Sequence, residues 1–194
     1  METLGHTGAL NWIRRFKTQE NIRKLSKSDA LWYEMKAETL TDLVMFINYG
    51  DRLFVARVDP PAFADQRLVR LEPLGNIDIE LCHALMNSTI SMFIIEGMGF
   101  GRGLGALDLN KDRIENYMHI LDMEQLDQQW IDKIKEKLLP LLGREVMCVA
   151  DELEQADRKA FDDAVIAAFG LRISREHIYE CLLSLVGIRL TANE

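Results

Sequence analysis

Two stretches of this chain carry residue types that could do chemistry. The first is Asp59-Pro60-Pro61-Ala62-Phe63. A carboxylate or amide followed by two prolines and an aromatic ring can hold an exocyclic amine while the ring stacks on the flipped base that carries it. Here the fourth position is Ala62, so the stacking surface is missing in register. A rigid turn between two strands accounts for the prolines equally well, and no catalysis is expected from them. The second stretch is Gly97-Met98-Gly99-Phe100-Gly101-Arg102-Gly103-Leu104-Gly105. No register of it gives GxGxxG, and it follows a helical pattern. A cofactor loop needs strand, turn and helix, so that phosphate meets a helix N-terminus. The run does offer close backbone approach around Arg102, whose guanidinium reads either as a phosphate contact or as a solvated charge.

Nothing else has catalytic spacing. No nucleophile, histidine and acid stand out as a triad, and no His-x-x-x-His or CxxC occurs. Cys82, Cys148 and Cys181 therefore read as reduced core thiols, with no metal expected. His83 and His119 read as partly buried structural histidines. Trp12, Trp32 and Trp130 read as core anchors, with Trp12 also able to stack on a base.

The elements that would position these residues follow from periodicity. Leu43–Ile47, Leu53–Val58 and Gln66–Leu71 read as strands, the second stopped by Asp59-Pro60-Pro61 because proline cannot donate to a ladder. Their short connections predict antiparallel pairing. Cys82, Leu85, Met86, Thr89, Ile90, Phe93 and Ile94 recur at helical spacing. They predict one long buried helix from Ile79 to Gly97, about 28 Å long, capped by Asn76 or Asp78. Leu126, Trp130, Ile134 and Leu138 predict a further helix ended by Pro140. Phe161, Val165 and Phe169 predict another, stopped by Gly170, and Ser174 caps a last one that ends before Gly187. The fold class expected is α+β: a strand-rich mixed N-terminal region over residues 1–121 that holds the long helix, then a helical C-terminal tail over 122–194.

With 194 residues, 48% of them apolar and 28% charged, the chain is of ordinary globular make-up. Its net charge of -8 excludes a protein that coats nucleic acid with a uniformly basic surface. The imbalance is local. Arg14, Arg15, Lys17, Arg23, Lys24 and Lys27 face a single acid, Glu20, whereas from Asp122 onward fifteen acids outnumber nine bases. The most apolar stretch, near Leu81–Ile95, is interrupted by His83, Asn87 and Ser88 and falls short of the roughly 18 residues of a membrane span. With no signal peptide evident, a cytoplasmic protein with no membrane partner is expected.

The stretch from Leu81 through Asn87-Ser88-Thr89, Glu96-Gly97, Gly101-Arg102-Gly103 and Gly105-Ala106-Leu107-Asp108-Leu109 resembles the region beyond the catalytic domain of bacterial adenine-specific DNA methyltransferases of restriction-modification systems. A second echo lies at Asp157-Arg158-Lys159-Ala160-Phe161-Asp162-Asp163, Phe169-Gly170-Leu171 and Glu176. The shared signature is Asn87, Ser88, Glu96, Gly101, Arg102, Gly103, Gly105 and Asp108.

The resemblance implies a target-recognition portion that binds double-stranded DNA beside a methyltransferase catalytic domain, joined in cis or supplied in trans. That domain would use S-adenosylmethionine; this chain carries no such cofactor motif and is not expected to be an enzyme by itself. Candidate DNA contacts are Arg14, Arg15, Lys17, Arg57, Arg67, Arg70, Arg102, Lys111 and Arg113. Arg52, Arg57, Arg67 and Arg70 are candidates for reading guanine edges, and Asn87 and Ser88 for settling helix packing. The alternative is a protein-interaction module whose acidic tail docks on a methyltransferase subunit without touching DNA. Self-association is left open.

Overall fold

The computed structural model describes residues 3, 5–19, 33, 39–72 and 75–191. They belong to two compact units, Met1–Thr39 and Leu40–Glu194. The first contains α1 (Thr7–Arg15), in which no residue is buried. Trp12 is 55% exposed and lies against Phe16, ring centroids 5.0 Å apart. The expectation of a core anchor therefore fails at Trp12, because α1 has no buried face into which the indole could turn. Glu20, Arg23, Lys24, Lys27 and Trp32 lie outside the described residues.

The second unit has a mixed α+β fold with two small antiparallel sheets. The first sheet has β1 (Thr41–Phe46) at its centre, between β3 (Ala56–Ala62) and β4 (Leu68–Leu71). Leu43 and Met45 are fully buried, as the apolar run demands of a strand covered by neighbours. The prolines do not stop β3; the strand runs through Asp59-Pro60-Pro61 to Ala62. It can do so because β3 is an edge strand, where a missing N–H costs no ladder bond. The register also shifts between Leu43↔Arg57 and Thr41↔Ala62, and Pro60 and Pro61 sit among the extra residues.

The second sheet pairs β2 (Asn48–Tyr49) with β6 (Ala106–Asp108), and β6 with β5 (Phe100–Arg102) in a hairpin. The glycine-rich run thus supplies β5 and the turn into β6.

The long helix of the sequence reading is two: α2 (Ile79–Met86) and α3 (Thr89–Met98). The break at Asn87-Ser88 has local causes. Asn87 turns its amide back onto His83 O at 2.9 Å and onto Val55, while Ser88 Oγ accepts from Ser91 N to cap α3. Asp78 caps α2, accepting from Glu80 N and Leu81 N.

Helix α4 (Lys111–Tyr117) follows, and then α5 (Gln128–Leu142), which passes Pro140 and closes at Gly143. Pro140 is tolerated because it lies in the last turn, with only Leu141 and Leu142 still to come. Helices α6 (Val149–Glu152), α7 (Ala156–Ala168) and α8 (Arg175–Thr191) complete the chain. Helix α8 continues through Gly187, held on either side by buried Val186 and Arg189.

Two clusters form the core. One joins Leu43, Met45, Met86, Ile95 and Leu107 with Leu153, Tyr179 and Leu182; the other joins Leu81 and Leu85 with Ile134, Leu138, Phe161 and Val165. Helices on both sides of residue 121 therefore share each core. His119 is exposed and Trp130 half-buried, and of the three thiols only Cys82 is buried. Among the described residues no helix is long and apolar enough to cross a membrane.

Candidate functional site

Most of the resemblance residues lie on the β5–β6 hairpin and on α3 beneath it, with Asn87 and Ser88 at the break before α3. Antiparallel partners share a face, so Phe100, Arg102, Ala106 and Asp108 point one way, while Gly101 and Leu107 point the other. Leu107 is buried, and Gly99 leaves it room: a Cβ there would come 2.6 Å from Leu107 Cγ. The outward face carries the charge. Arg102 Nε lies 2.5 Å from Asp108 Oδ2, yet its side chain is 70% exposed. Asn48 Nδ2 donates to Asp108 Oδ1 from the neighbouring strand, so Asp108 is fixed from both sides. Arg113 reaches the same hairpin from α4, donating to Met98 O at 2.5 Å and lying over the Phe100 ring at 5.6 Å. Lys111, two residues earlier on α4, is exposed and paired to Glu115 at 3.3 Å.

The turn Gly103-Leu104-Gly105 exposes Gly103 and Leu104 and buries Gly105. Leu104 is 98% exposed and has φ +67°, a left-handed conformation that L side chains rarely adopt. Gly105 needs its glycine twice over, with φ +72° and Leu190 Cδ2 2.9 Å from any added Cβ. Gly101 and Gly103 have no such steric need: a Cβ at Gly101 meets only Arg189 Cγ at 3.8 Å, and at Gly103 it meets nothing.

Below the hairpin lies a buried clamp. Glu96 on α3 accepts from Arg189 on α8 through both oxygens, Nε to Oε1 at 2.7 Å and Nη2 to Oε2 at 3.0 Å. Arg189 also donates to Gly105 O and to Gly50 O. One guanidinium thus ties two helices, the hairpin turn and the turn after β2.

A second polar network joins the α2–α3 break to the tail. Asn87 accepts from Val55 N at 3.0 Å and donates to Val55 O at 2.9 Å, pairing with that residue as a strand would. His83 Nε2 shares Val55 O at 3.0 Å, and burial holds the imidazole below its usual range, hence neutral. Arg158 Nη1 donates to Asn87 O at 2.7 Å and its Nε to Glu152 Oε1 at 2.9 Å. Arg144 grips Glu152 and Asp157 together. Burial works against the Glu152 carboxylate, but hydrogen bonds and charge from Arg144 and Arg158 overcome it and lower its pKa. Asp162 accepts from Thr89 N, Thr89 Oγ1 and Tyr179 OH at 2.9, 2.5 and 2.8 Å. Burial nevertheless raises the Asp162 pKa.

Among the other candidate DNA contacts, Arg57 and Arg70 do not share a face of the first sheet. Arg57 stands opposite Leu43 and Arg70 opposite Val44, so the strand alternation directs them to opposite faces of the first sheet. Arg57 pairs with Glu80 at 3.1 Å and Arg70 with Glu72 at 3.9 Å. Arg67 is exposed in the turn before β4, and Arg52 pairs with Glu145. Arg14, Arg15 and Lys17 belong to the other unit, where Arg15 lies over Phe16.

Sequence reasoning missed Arg189, Arg158, Arg144, Glu152 and the burial of Asp162. A signal was present for three of them. Arg189 continues the stripe Ile178, Leu182, Val186, while Arg158 and Asp162 share the stripe of Phe161 and Val165. A charge at a core-facing position of a helix demands a buried partner.

Comparison with family models, with curated proteins and with solved structures finds no match to this chain.

Proposed function

We propose that this chain is a DNA target-recognition portion of an adenine-methyltransferase system, with the β5–β6 hairpin as its DNA-facing element. The observation that carries the reading is the role of the resemblance residues. Glu96, Gly105 and Asp108 hold one hairpin whose outward face offers Arg102 to solvent, while Asn87 and Ser88 set the break before the helix that carries Glu96. A rigid finger with an exposed guanidinium suits phosphate contact, which fixes register on a duplex. Methyl transfer itself falls to a separate S-adenosylmethionine-dependent domain, in cis or in trans.

The test is duplex affinity by fluorescence anisotropy at two salt concentrations. Log affinity should fall with log salt by about 0.9 for each phosphate neutralised. Arg102→Ala should reduce that slope by about 1. A second reading, docking on a methyltransferase subunit, is favoured by exposed Leu139, Leu142 and Ile188 on the tail helices, 65%, 55% and 65% accessible. Absence of DNA binding at low salt, together with co-purification with a methyltransferase domain, would select it.

A further inference from the structure

A cavity of about 400 Å³ opens beside the Asn87 network. Its walls are apolar, from Leu53 and Phe54 before β3 and Leu138, Leu141 and Leu142 at the end of α5, and its polar lining includes Arg158. This volume and this mixture are those of small-molecule sites.

The polar lining is almost fully satisfied from within. Asn87 spends its side chain on Val55 and His83, and its carbonyl accepts from Arg158 Nη1. Every nitrogen of Arg144 is engaged, by Glu152, Asp157 and Glu145 O. Arg57 and Asp59 also line the cavity but are exposed; among its buried polar side chains Arg158 is the exception. Its side chain is 5% exposed, Nε and Nη1 are bonded, and Nη2 has no acceptor among the described residues. Leaving such a donor buried without an acceptor is unfavourable.

Charge narrows the choice of acceptor. Arg144 and Arg158 are already matched by Glu152 and Asp157, with Asp162 4.0 Å from Arg158 Nη1. An anion would therefore meet no net positive field, whereas a neutral oxygen needs only the N–H groups. We propose that this cavity binds a small uncharged ring bearing a carbonyl or amide oxygen, the ring between the leucines and the oxygen on Arg158 Nη2. The site is separate from the hairpin and does not depend on DNA binding.

Leucine methyl spectra of the whole chain test this, titrated with benzamide and, as the ring without an oxygen, with toluene. Benzamide should shift the Leu138, Leu141 and Leu142 methyls saturably, with affinity about tenfold above that of toluene. Leu142→Trp fills the exposed mouth without touching the ion pairs and should abolish the shifts, leaving the Leu43 and Leu182 methyls in place. Arg158→Lys, if folded by the same criterion, should bring benzamide down to the affinity of toluene. Equal affinity for the two rings, unchanged shifts in Leu142→Trp, or no saturable shift up to the solubility of benzamide would each overturn the assignment. The last result would mean that solvent serves the Arg158 donors.

Discussion

Arg189 and Glu96, ninety-three residues apart in the chain, form a bidentate ion pair in which both side chains are at most 5% exposed. Removing one partner leaves the other charged, buried and unmatched, so Arg189→Met should cost about 3–5 kcal/mol. The double variant Glu96→Leu/Arg189→Met should recover part of that loss, because it removes the unmatched charge but still leaves Gly105 O and Gly50 O without the Arg189 donors. Urea unfolding of the four proteins in the cycle measures the coupling; equal destabilisation by the single and double variants would refute it.

The turn above this clamp carries strain that can be released. Leu104 holds φ +67° with its side chain in solvent, so it contributes no packing to offset the conformation. Leu104→Gly should raise stability by about 1 kcal/mol. Gly105→Ala should do the opposite, losing about 1–3 kcal/mol, since it adds both a left-handed side chain and a contact with Leu190. Thermal unfolding of the two variants reads the sign directly.

Asn87 explains why one apolar stripe became two helices, and it should be costly to replace. Its amide serves Val55 N, Val55 O and His83 O inside the core. Asn87→Ala should therefore lose about 2–4 kcal/mol, through the unmet Val55 groups as much as through the bonds themselves. Asn87→Leu, which keeps the volume, should do no better. A stability within about 0.5 kcal/mol of wild type, the range of an uninvolved surface site, would show that Val55 finds other partners.

How far the sequence revealed the fold follows from what kind of force fixes each part. The apolar run at Leu43–Phe46, the Asp78 cap and the stripe of α7 are local signals, and each produced its element. The break at Asn87-Ser88 was hidden because a helical stripe continues across it, and the residues that enforce it, Val55 and Asp162, are distant in the chain. Pro60, Pro61 and Pro140 were read as stops because proline forbids a bond locally; whether that bond is needed depends on an edge or a last turn that periodicity does not reveal. The glycines around Arg102 marked close backbone approach but not a strand pair, and the anchor Arg189 was hidden because an arginine ordinarily reads as solvated.

Acid sensitivity should centre on Arg144. Hydrogen bonds from Arg144 lower the Asp157 pKa, and the Glu152 pKa is lowered against its own burial. Depressed carboxylates contribute stability that is present above their unfolded values, about 3.9 and 4.3. It is lost as pH falls through the folded values. Arg144→Met should thus be destabilised at neutral pH and should lose part of the decline of wild type on acidification. Parallel acid limbs in unfolding titrations of the two proteins would be the contrary result.

Asp162 should act with the opposite sign. It is buried with its carboxylate accepting from Thr89 and Tyr179, and burial raises its pKa above the usual carboxylate range despite the nearby Arg158. A group whose folded pKa is raised contributes stability that is full below its unfolded value, about 3.9, and is lost as pH rises through the folded value. Asp162→Asn keeps an oxygen for Thr89 N and does not ionise, so it should remove this loss. Relative to wild type, the variant should gain stability as pH climbs out of the acid range, until the Asp162 carboxyl of wild type is fully ionised. Beyond that point the difference should stay constant. A difference that does not change with pH would mean that Asp162 keeps one protonation state in the folded and unfolded chain, and that its bonds to Thr89 and Tyr179 offset its burial in full.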